Sequence, residues 1–475
     1  MLNRKLIAIV LAAAIALCGV SVLAADPVKG DGSGQPEDAG AVVTGAEPAA
    51  QAEEQPAQSG DTSSGETAGE DGAAAEAPQE PAEEPAPEPD PVGTISFANL
   101  ESRVREKNLN YLILQENISV IDVIDYDKMK DDLRDGLNSL ADAQWQLVTS
   151  GSQLPSTGNP IVDGALQGMM SMSSTSAAQS LQAQYDSLRE TFDDLKEGKI
   201  QQDAADAVRQ LQNAQNSIVM VTESMYIQLS ELQATQKTLD RSLAALDRQI
   251  QELELRYELG QISALTLQQA KAGRTTLVSN QETLSMSAKT LAMNLENMVG
   301  AGLTGTVRLT ALPKVSDREL DAMDLEADLA AAKEVSFTLY DAKNTLDDAK
   351  EDLEDAKDEY KVKDYQYAQA EHTWQAAQYT YQNTVQSFEL CFRTLYAQVK
   401  DYKQVLDAAR TSLAVEESNY AADQLKYEQG TISKNTLLTA QDDLESARDT
   451  VATAERNLFS AYNDYHWAVD HGILN

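Results

Sequence analysis

Large apolar side chains recur every seven residues through the second half of the chain. The series is Leu339, Leu346, Leu353, Tyr360, Tyr367, Trp374, Tyr381, Phe388, Leu395 and Tyr402. Alanines accompany it at Ala342, Ala349, Ala356, Ala370 and Ala377. Heptad spacing is typical of a coiled-coil seam, and small residues beside large ones let helices approach closely. Because residues 314–429 contain neither Gly nor Pro, the pattern predicts long helix over this range.

Two arrangements of residues 314–429 fit the pattern. One is a single helix of about 170 Å, at ~1.5 Å per residue. The other is a hairpin that turns near Lys361. The unbroken heptad phase favours the single helix, whereas the internal repeat described below favours a hairpin like that of the first half. We favour the hairpin.

The rest of the folded region is also predicted to be helical, with breaks at Gly-rich and Pro-rich segments. Turn residues at 149–160 end the first stretch, and residues 300–313 form a connector. Within that connector, residues 306–310 alternate and are a candidate strand. The other predicted helices are 97–148, 176–259 with an irregularity at Gly198, a helix capped by Ser263 or Thr266 that ends at Val299, and 435–471.

The first 95 residues do not follow the helical pattern. A short apolar run at 6–17 follows two basic residues and precedes small residues suited to cleavage near Ala24 or Ala25. The next segment is rich in Ala, Glu, Pro, Gly and Ser, and it lacks the apolar residues that offset the entropy of ordering. The expected domains are a signal peptide at 1–25, a disordered acidic Pro/Ala/Glu-rich linker at 26–95, a first helical repeat at 96–300, a connector at 301–313 and a second helical repeat at 314–475.

The chain is strongly acidic, with a formal net charge of −39 and a pI of about 4.3. Phosphate backbones and anionic lipid headgroups would be repelled by most of this surface. We therefore expect no nucleic-acid partner.

An internal repeat is the most specific feature of the sequence. Residues 255–270 read LRYELGQISALTLQQA and residues 425–440 read LKYEQGTISKNTLLTA, with nine of sixteen positions identical and no gap. Each copy predicts a helix, a Gly for a left-handed turn, an Ile that plugs the turn and a Ser/Thr cap. A weaker echo aligns residues 107–110 with residues 333–336. A simpler interpretation is that any turn between two helices favours Gly and Ser.

With an initial helix, a long helix and a closing helix in each half, residues 96–475 resemble the TolC-like outer-membrane efflux family. The resemblance implies an all-α fold in which long antiparallel coiled-coil helices, in two tandem repeats, form a TolC-like α-barrel in a homo-trimer. It also implies that the turns form a tip where a membrane-fusion adaptor protein, coupled to an inner-membrane transporter, docks. The shape and contact residues assigned to that tip are Tyr257, Gly260, Ile262, Ser263, Tyr427, Gly430, Ile432 and Ser433.

Two features depart from the family pattern. The family inserts transmembrane strands, each of ~9–11 alternating residues, between the first two helices of each repeat. Here residues 350–374 stay charged and in heptad phase, and residues 151–174 show no period of two. We therefore expect little or no β-barrel. The family's acidic constriction is also altered, because Thr436 and Thr439 stand at the positions of its aspartates. Asp442 and Asp443 follow a turn later and complete the candidate aperture residues, although their carboxylates are more simply interpreted as solvated surface groups.

No catalytic, metal or cofactor site is predicted. No two of the three histidines, His372, His466 and His471, have the spacing that aims two ligands from one helix face. Cys391 lies among apolar residues and is predicted to be a small buried hydrophobe. Paired acidic residues are too common in this chain to indicate general acid–base chemistry. We therefore expect that the chain is not an enzyme.

Two functions are compatible with these features. The first is a TolC-like efflux or export conduit, a helical tunnel that docks to an adaptor and an inner-membrane pump and carries small molecules passively. The alternative is an exported coiled-coil spacer of the cell envelope without channel activity. Either protein would be exported to the cell envelope, in the outer membrane by resemblance or otherwise on the cell-wall or extracellular side.

Overall fold

The computed structural model describes residues 90, 91, 93–150 and 160–474. The helices of the first half are α1 (Leu100–Lys107), α2 (Leu109–Asp122), α3 (Tyr126–Ser150), α4 (Pro160–Glu197), α5 (Lys199–Glu258) and α6 (Ala264–Met298). Those of the second half are α7 (Asp317–Ala322), α8 (Leu325–Val335), α9 (Phe337–Glu359), α10 (Tyr365–Glu428) and α11 (Lys434–His471). The prediction of an all-α fold built from long helices in two tandem repeats is confirmed.

Two short strands, β1 (Thr94–Ile95) and β2 (Arg308–Leu309), pair in parallel. The second strand lies in the segment where the alternating pattern predicted one. The hydroxyl of Tyr226 donates to the carbonyl of Thr310 at 2.8 Å, just beyond β2, and also lies 3.2 Å from the carbonyl of Ile95 in β1. One buried side chain of α5 therefore holds both strands against the helices.

The predicted signal peptide and nearly all of the predicted linker lie outside the described residues. The last residues of the linker range are an exception, because the Asp90 carboxylate accepts hydrogen bonds from Ser96 N–H (3.0 Å), Asn99 Nδ2 (2.9 Å) and Arg103 (3.1 Å). Burial on its own raises the pKa of Asp90, but these hydrogen bonds outweigh it and lower the pKa below the usual range. Asp90, within the predicted linker range, therefore contacts helix α1 through Arg103.

The first half contains more breaks than the sequence predicted. The helix predicted over 97–148 is divided at Asn108 and at residues 123–125. Helix α4 begins at Pro160, well before the predicted start near Ser176. Proline suits the first helical position because its missing N–H would have no helical partner there. The predicted irregularity at Gly198 is confirmed, because this residue has φ 85° between α4 and α5.

Residues 314–429 form a hairpin rather than one helix. Helices α9 and α10 are joined by the loop at 360–364 and pack against each other. Leu339, near the start of α9, shares a buried core with Phe388 of α10, so the two helices run antiparallel. All ten members of the heptad series are buried or half-buried. Two shorter breaks, at residues 323–324 and at Ser336, also interrupt the predicted helix.

Each half contains the same kinked pair of helices near its start. Asn108 joins α1 to α2 and Ser336 joins α8 to α9, each with extended backbone at ψ 118°. The Asn108 side chain accepts from Tyr111 N–H and that of Ser336 from Leu339 N–H, so each residue caps the following helix. The weak sequence echo had the wrong register by two residues, because Ser336 matches Asn108 and not Asn110.

The two halves join along α5 and α11, which pack antiparallel in a constant register. The hydrogen-bonded pairs are Asn216 with His471 (3.2 Å), Thr238 with Asp449 (2.8 Å) and Glu252 with Asn435 (3.1 Å). Steps of 22 and then 14 residues forward along α5 are matched by equal steps backward along α11. This register brings both repeated turns to the same end of the helices.

Candidate docking site at the two tips

The first repeated turn lies between α5 and α6, and two backbone hydrogen bonds end helix α5 there. Gly260 has φ 69°, and its N–H donates to the carbonyl of Tyr257 at 2.9 Å. The N–H of Gln261 donates to the carbonyl of Arg256 at 2.8 Å. This Schellman arrangement satisfies two carbonyls at the end of the helix and requires a residue that tolerates a left-handed φ.

The second repeated turn, between α10 and α11, has the same geometry. Gly430 has φ 72°, and its N–H donates to the carbonyl of Tyr427 at 2.9 Å. The N–H of Thr431 donates to the carbonyl of Lys426, also at 2.9 Å. The left-handed glycine predicted from the sequence is therefore present in both turns.

A serine then starts the closing helix of each turn. Ser263 Oγ accepts from the N–H of Thr266 at 3.2 Å, and Ser433 Oγ accepts from the N–H of Thr436 at 3.1 Å. In both turns the threonine hydroxyl also lies within 3.0 Å of the serine hydroxyl. Ser263 and Thr266 were both candidate caps of α6, and Ser263 is the cap. The backbone of each tip is thus fixed from both sides of the glycine.

Large apolar side chains around the tips face solvent. Tyr257 is 46% exposed and Tyr427 is 40% exposed. The other exposed apolar residues beside the two turns are Leu255, Leu259, Leu265 and Leu425. Ile262 and Ile432 are half-buried. A rigid turn that presents tyrosine and leucine side chains to solvent has the composition of a protein-binding surface.

The two tips lie side by side. Glu252, in the last turns of α5, accepts a hydrogen bond from Asn435, in the first turn of α11, at 3.1 Å. One helical turn or more further from the tip, Arg248 of α5 forms an ion pair with Asp442 of α11. These contacts hold both turns at one end of the α5–α11 pair.

The four candidate aperture residues do not share one environment. Thr436 is engaged with the Ser433 cap, and the Thr439 hydroxyl donates to the carbonyl of Asn435 at 3.1 Å. The Asp442 carboxylate is paired with Arg248, whereas Asp443 is exposed on another face of α11.

The remaining candidates for chemistry lie apart from each other. Cys391 is exposed, which contradicts the prediction that it is buried. His372 is exposed, His466 lies 3.6 Å from Asp470 on the same helix, and His471 bonds to Asn216. Burial lowers the pKa of His471. Within the described parts of the chain, no group of three or more His, Cys, Asp or Glu is arranged to hold a metal ion.

Two buried carboxylates were not predicted as important. Glu223 of α5 is 7% exposed, and one of its oxygens accepts from Asn463 Nδ2 (2.8 Å) and Trp467 Nε1 (2.6 Å) of α11. Glu296 of α6 is 2% exposed and accepts from the N–H groups of Thr304 (2.6 Å) and Gly305 (2.8 Å). Both are structural, because the first joins the two halves and the second holds the connector.

None of the helices in the described ranges combines the length and the apolar character needed to cross a bilayer.

No family model and no curated protein matches this chain. Solved structures that it resembles include a membrane protein from Pseudomonas aeruginosa, with 13% identity, a TM-score of 0.45 and coverage of 59% of this chain and 71% of that one. The open MtrE outer-membrane channel of Neisseria gonorrhoeae has 12% identity, a TM-score of 0.43 and coverage of 79% and 89%. The CmeC outer-membrane channel of Campylobacter jejuni has 14% identity, a TM-score of 0.40 and coverage of 60% and 68%.

With TM-scores of 0.40 to 0.45, the likeness of these three structures to this chain is confined to the general arrangement of helices.

Proposed function

We propose that this chain is the conduit component of an export system in the cell envelope. In this proposal the two tips dock to a membrane-fusion adaptor protein, which couples the conduit to an inner-membrane transporter. Small molecules then pass passively through a helical tunnel that several copies of the chain assemble. The observation that carries the proposal is the pair of turns with the same backbone geometry, placed side by side and flanked by exposed apolar side chains.

The geometry of the tips supports a docking role. A Schellman turn and a serine cap fix each backbone, so little conformational entropy is lost when a partner binds. Tyr257 and Tyr427 supply large side chains with few rotatable bonds, which are enriched among the residues that dominate binding energy. A purely structural bend would not require two copies of this exposed apolar surface.

The proposed assembly is a homo-trimer, as the resemblance to the TolC-like family implies. Each chain presents two tips, and a homo-trimer would present six around one opening. Thr436, Thr439, Asp442 and Asp443 would then lie near that opening. Because Asp442 is paired with Arg248, Asp443 is the carboxylate of this set that would act on passing ions. Replacing Asp443 with Asn is expected to reduce any preference for cations over anions.

The docking proposal is tested by placing a photo-activatable amino acid at Tyr257 or Tyr427 in living cells. Tyr379 is the control, because it is a tyrosine on α10, far along the chain from either tip, and at 62% it is more exposed than Tyr257 and Tyr427. After irradiation, adducts are identified by mass spectrometry. The proposal expects a membrane-fusion adaptor joined to both tip positions and not to Tyr379.

The alternative of an exported spacer without channel activity predicts a different outcome. Tip positions would yield no adaptor adduct, or would yield the same adducts as Tyr379. Either result contradicts docking at the tips. Conductance across a planar lipid bilayer, measured on the purified chain with and without the captured adaptor, then distinguishes a conduit from a spacer.

A further inference from the structure

The loop that joins α9 to α10, residues 360–364, is closed by two hydrogen bonds between Lys361 and Asp364. The N–H of Asp364 donates to the carbonyl of Lys361 at 2.8 Å, and the N–H of Lys361 donates to the Asp364 carboxylate at 3.0 Å. Val362 and Lys363 lie between these two residues, at the apex of the turn. Because the backbone of the turn is already fixed, little conformational entropy is lost when a partner binds it.

The side chains in and beside this turn face solvent. Val362 and Tyr365 are each 75% exposed, and Lys361 and Lys363 are exposed as well. Tyr365 is the first residue of α10, so it lies directly beside the turn. Within the described ranges, neither lysine has an ion-pair partner. The hairpin loop, as residues 360–365 are called below, therefore combines an apolar group, an aromatic ring and two unpaired cations.

The charge of the hairpin loop is opposite to that of the chain as a whole. Residues 360–370 contain two lysines and one aspartate, which gives a net charge of +1, whereas the formal net charge of the chain is −39. Acidic residues lie directly before the loop, with six Asp or Glu and one Lys in residues 351–359. A surface that attracts anions is therefore confined to the loop and the first turns of α10.

The hairpin loop lies at the opposite end of α10 from the second docking tip. Helix α10 contains 64 residues, so at ~1.5 Å per residue its two ends are about 96 Å apart. A partner bound at the loop would therefore not compete with an adaptor bound at the tips.

The side chains of the hairpin loop suit the headgroup region of a lipid bilayer. Tyrosine is enriched at that depth because its ring is apolar and its hydroxyl reaches water. Lysine places its aliphatic stem along an apolar surface while its ammonium group reaches the phosphates. A protein partner would also cover Val362 and Tyr365, but two unpaired lysines in an acidic chain favour a surface rich in phosphate. The acidic end of α9 would be repelled by the same phosphates, so the contact stays shallow.

We propose that the hairpin loop is a lipid-contact site that rests on one leaflet of a bilayer. Val362 and Tyr365 lie at the boundary between headgroups and acyl chains, and Lys361 and Lys363 lie at the phosphates. A single turn between two helices is too short to cross a bilayer, so the contact is peripheral and reversible. This inference goes beyond the proposed function, because it assigns a second partner to the end of α10 remote from the adaptor.

Quenching by brominated lipids measures this contact directly, in the purified chain carrying Cys18→Ser and Cys391→Ser. An NBD fluorophore is attached through Val362→Cys, and in a matched control through Leu303→Cys, since Leu303 is 62% exposed in the connector. The vesicles contain phosphatidylcholine and a minor share of phosphatidylglycerol. Acyl chains brominated near the headgroup are expected to quench the probe at 362 and not the probe at 303. Equal quenching at both positions, or none at 362, overturns the inference.

Variants then test which side chains make the contact, by flotation of the chain with the same vesicles. Val362→Asp is expected to lower the partition coefficient at least tenfold, because a carboxylate replaces an apolar group. Lys361→Gln and Lys363→Gln should each lower it by about fivefold. Leu303→Asp and Lys237→Gln, at exposed positions elsewhere, should leave it unchanged. A loss of the same size in these controls contradicts a specific role of the loop.

Two further measurements separate the proposed contact from other kinds of binding. Washing with alkaline carbonate should release the chain from the vesicles, and a chain that resists release overturns a peripheral contact. Inorganic phosphate should not displace the chain, and displacement would show that the lysines bind free phosphate rather than a lipid surface. Because the vesicles contain no adaptor, a failure of docking at the tips leaves all of these results unchanged.

Discussion

Two buried glutamates have pKa values that the fold shifts in opposite directions. Burial raises the pKa of Glu223, and hydrogen bonds from Asn463 and Trp467 offset only part of this effect. Burial on its own would also raise the pKa of Glu296, but hydrogen bonds from Gly305, Thr304 and Thr306 outweigh it and lower the pKa. The two residues therefore give opposite contributions to the dependence of stability on pH.

For Glu223, the folded chain retains the proton to a higher pH than the unfolded chain does. Its contribution to the free energy of unfolding is therefore fully present below the ordinary value of 4.5 and falls as the pH rises through the raised pKa. Glu223→Gln keeps an acceptor oxygen and has no charge to bury, so this fall should disappear. Glu223→Ala should lose about 1–3 kcal/mol, because Asn463 and Trp467 lose their acceptor. Urea unfolding at several pH values checks both, and an unchanged pH slope in Glu223→Gln would contradict this account.

For Glu296, the lowered pKa means that the folded chain favours the ionised carboxylate. Its contribution to stability is present above 4.5 and is lost as the pH falls through the lowered pKa. We expect Glu296→Gln to reduce the free energy of unfolding at neutral pH by about 1.5–3 kcal/mol, because an amide replaces a charged acceptor. The variant should also depend less on pH below 4.5. If thermal unfolding gave Glu296→Gln the same stability and the same acid dependence as the parent chain, the hydrogen bonds to Glu296 would not be what holds the connector.

At the scale of single elements, the tip turns depend on the left-handed glycines. Gly260→Ala and Gly430→Ala should each destabilise the chain by about 1–2 kcal/mol, because a Cβ disfavours φ near 70°. Gly273 is the matched control, since it is a helical glycine of α6 with no atom within 4 Å of an added Cβ. Gly273→Ala should stabilise by about 0.5–1 kcal/mol. Circular dichroism during urea unfolding measures both, and a change of the same sign at both positions would contradict the role of the turn.

The elements also show what could be predicted from the sequence. The backbone of the two turns was predictable because its chemistry is local: a left-handed glycine and a capping serine recur at fixed spacing. The start of α4 was not predictable, because a segment rich in Gly, Pro and Met has the composition of a loop. Proline is nevertheless well suited to the first position of a helix. The sequence favoured the hairpin at 360–364 over a single helix without deciding between them, because the heptad spacing continues through the loop.

Burial of single residues was the least predictable property. Leu390 is 67% exposed and Phe392 is fully buried, so Cys391 lies just outside the seam that its apolar neighbours suggested. Glu223 and Glu296 were missed because acidic residues are so common in this chain that no sequence signal separates a buried one. Their roles depend on partners 240 and 8 residues away, which only the fold brings together.

At the scale of the whole molecule, the two turns place two apolar tips at one end of the α5–α11 pair. In the proposed homo-trimer, the six tips of the three copies come to the same end of the assembly. Three copies would then surround one opening, and particle mass in solution is expected to equal that of a trimer.

The most direct test of the proposed conduit is dye efflux from cells that lack the gene. Cells complemented with the parent chain should export a fluorescent dye faster than uncomplemented cells. Cells complemented with a Gly260→Ala and Gly430→Ala double variant, at equal protein level, should export it no faster than the uncomplemented cells, whereas Gly273→Ala should restore efflux fully. Efflux that is the same with and without the parent chain would contradict the central claim.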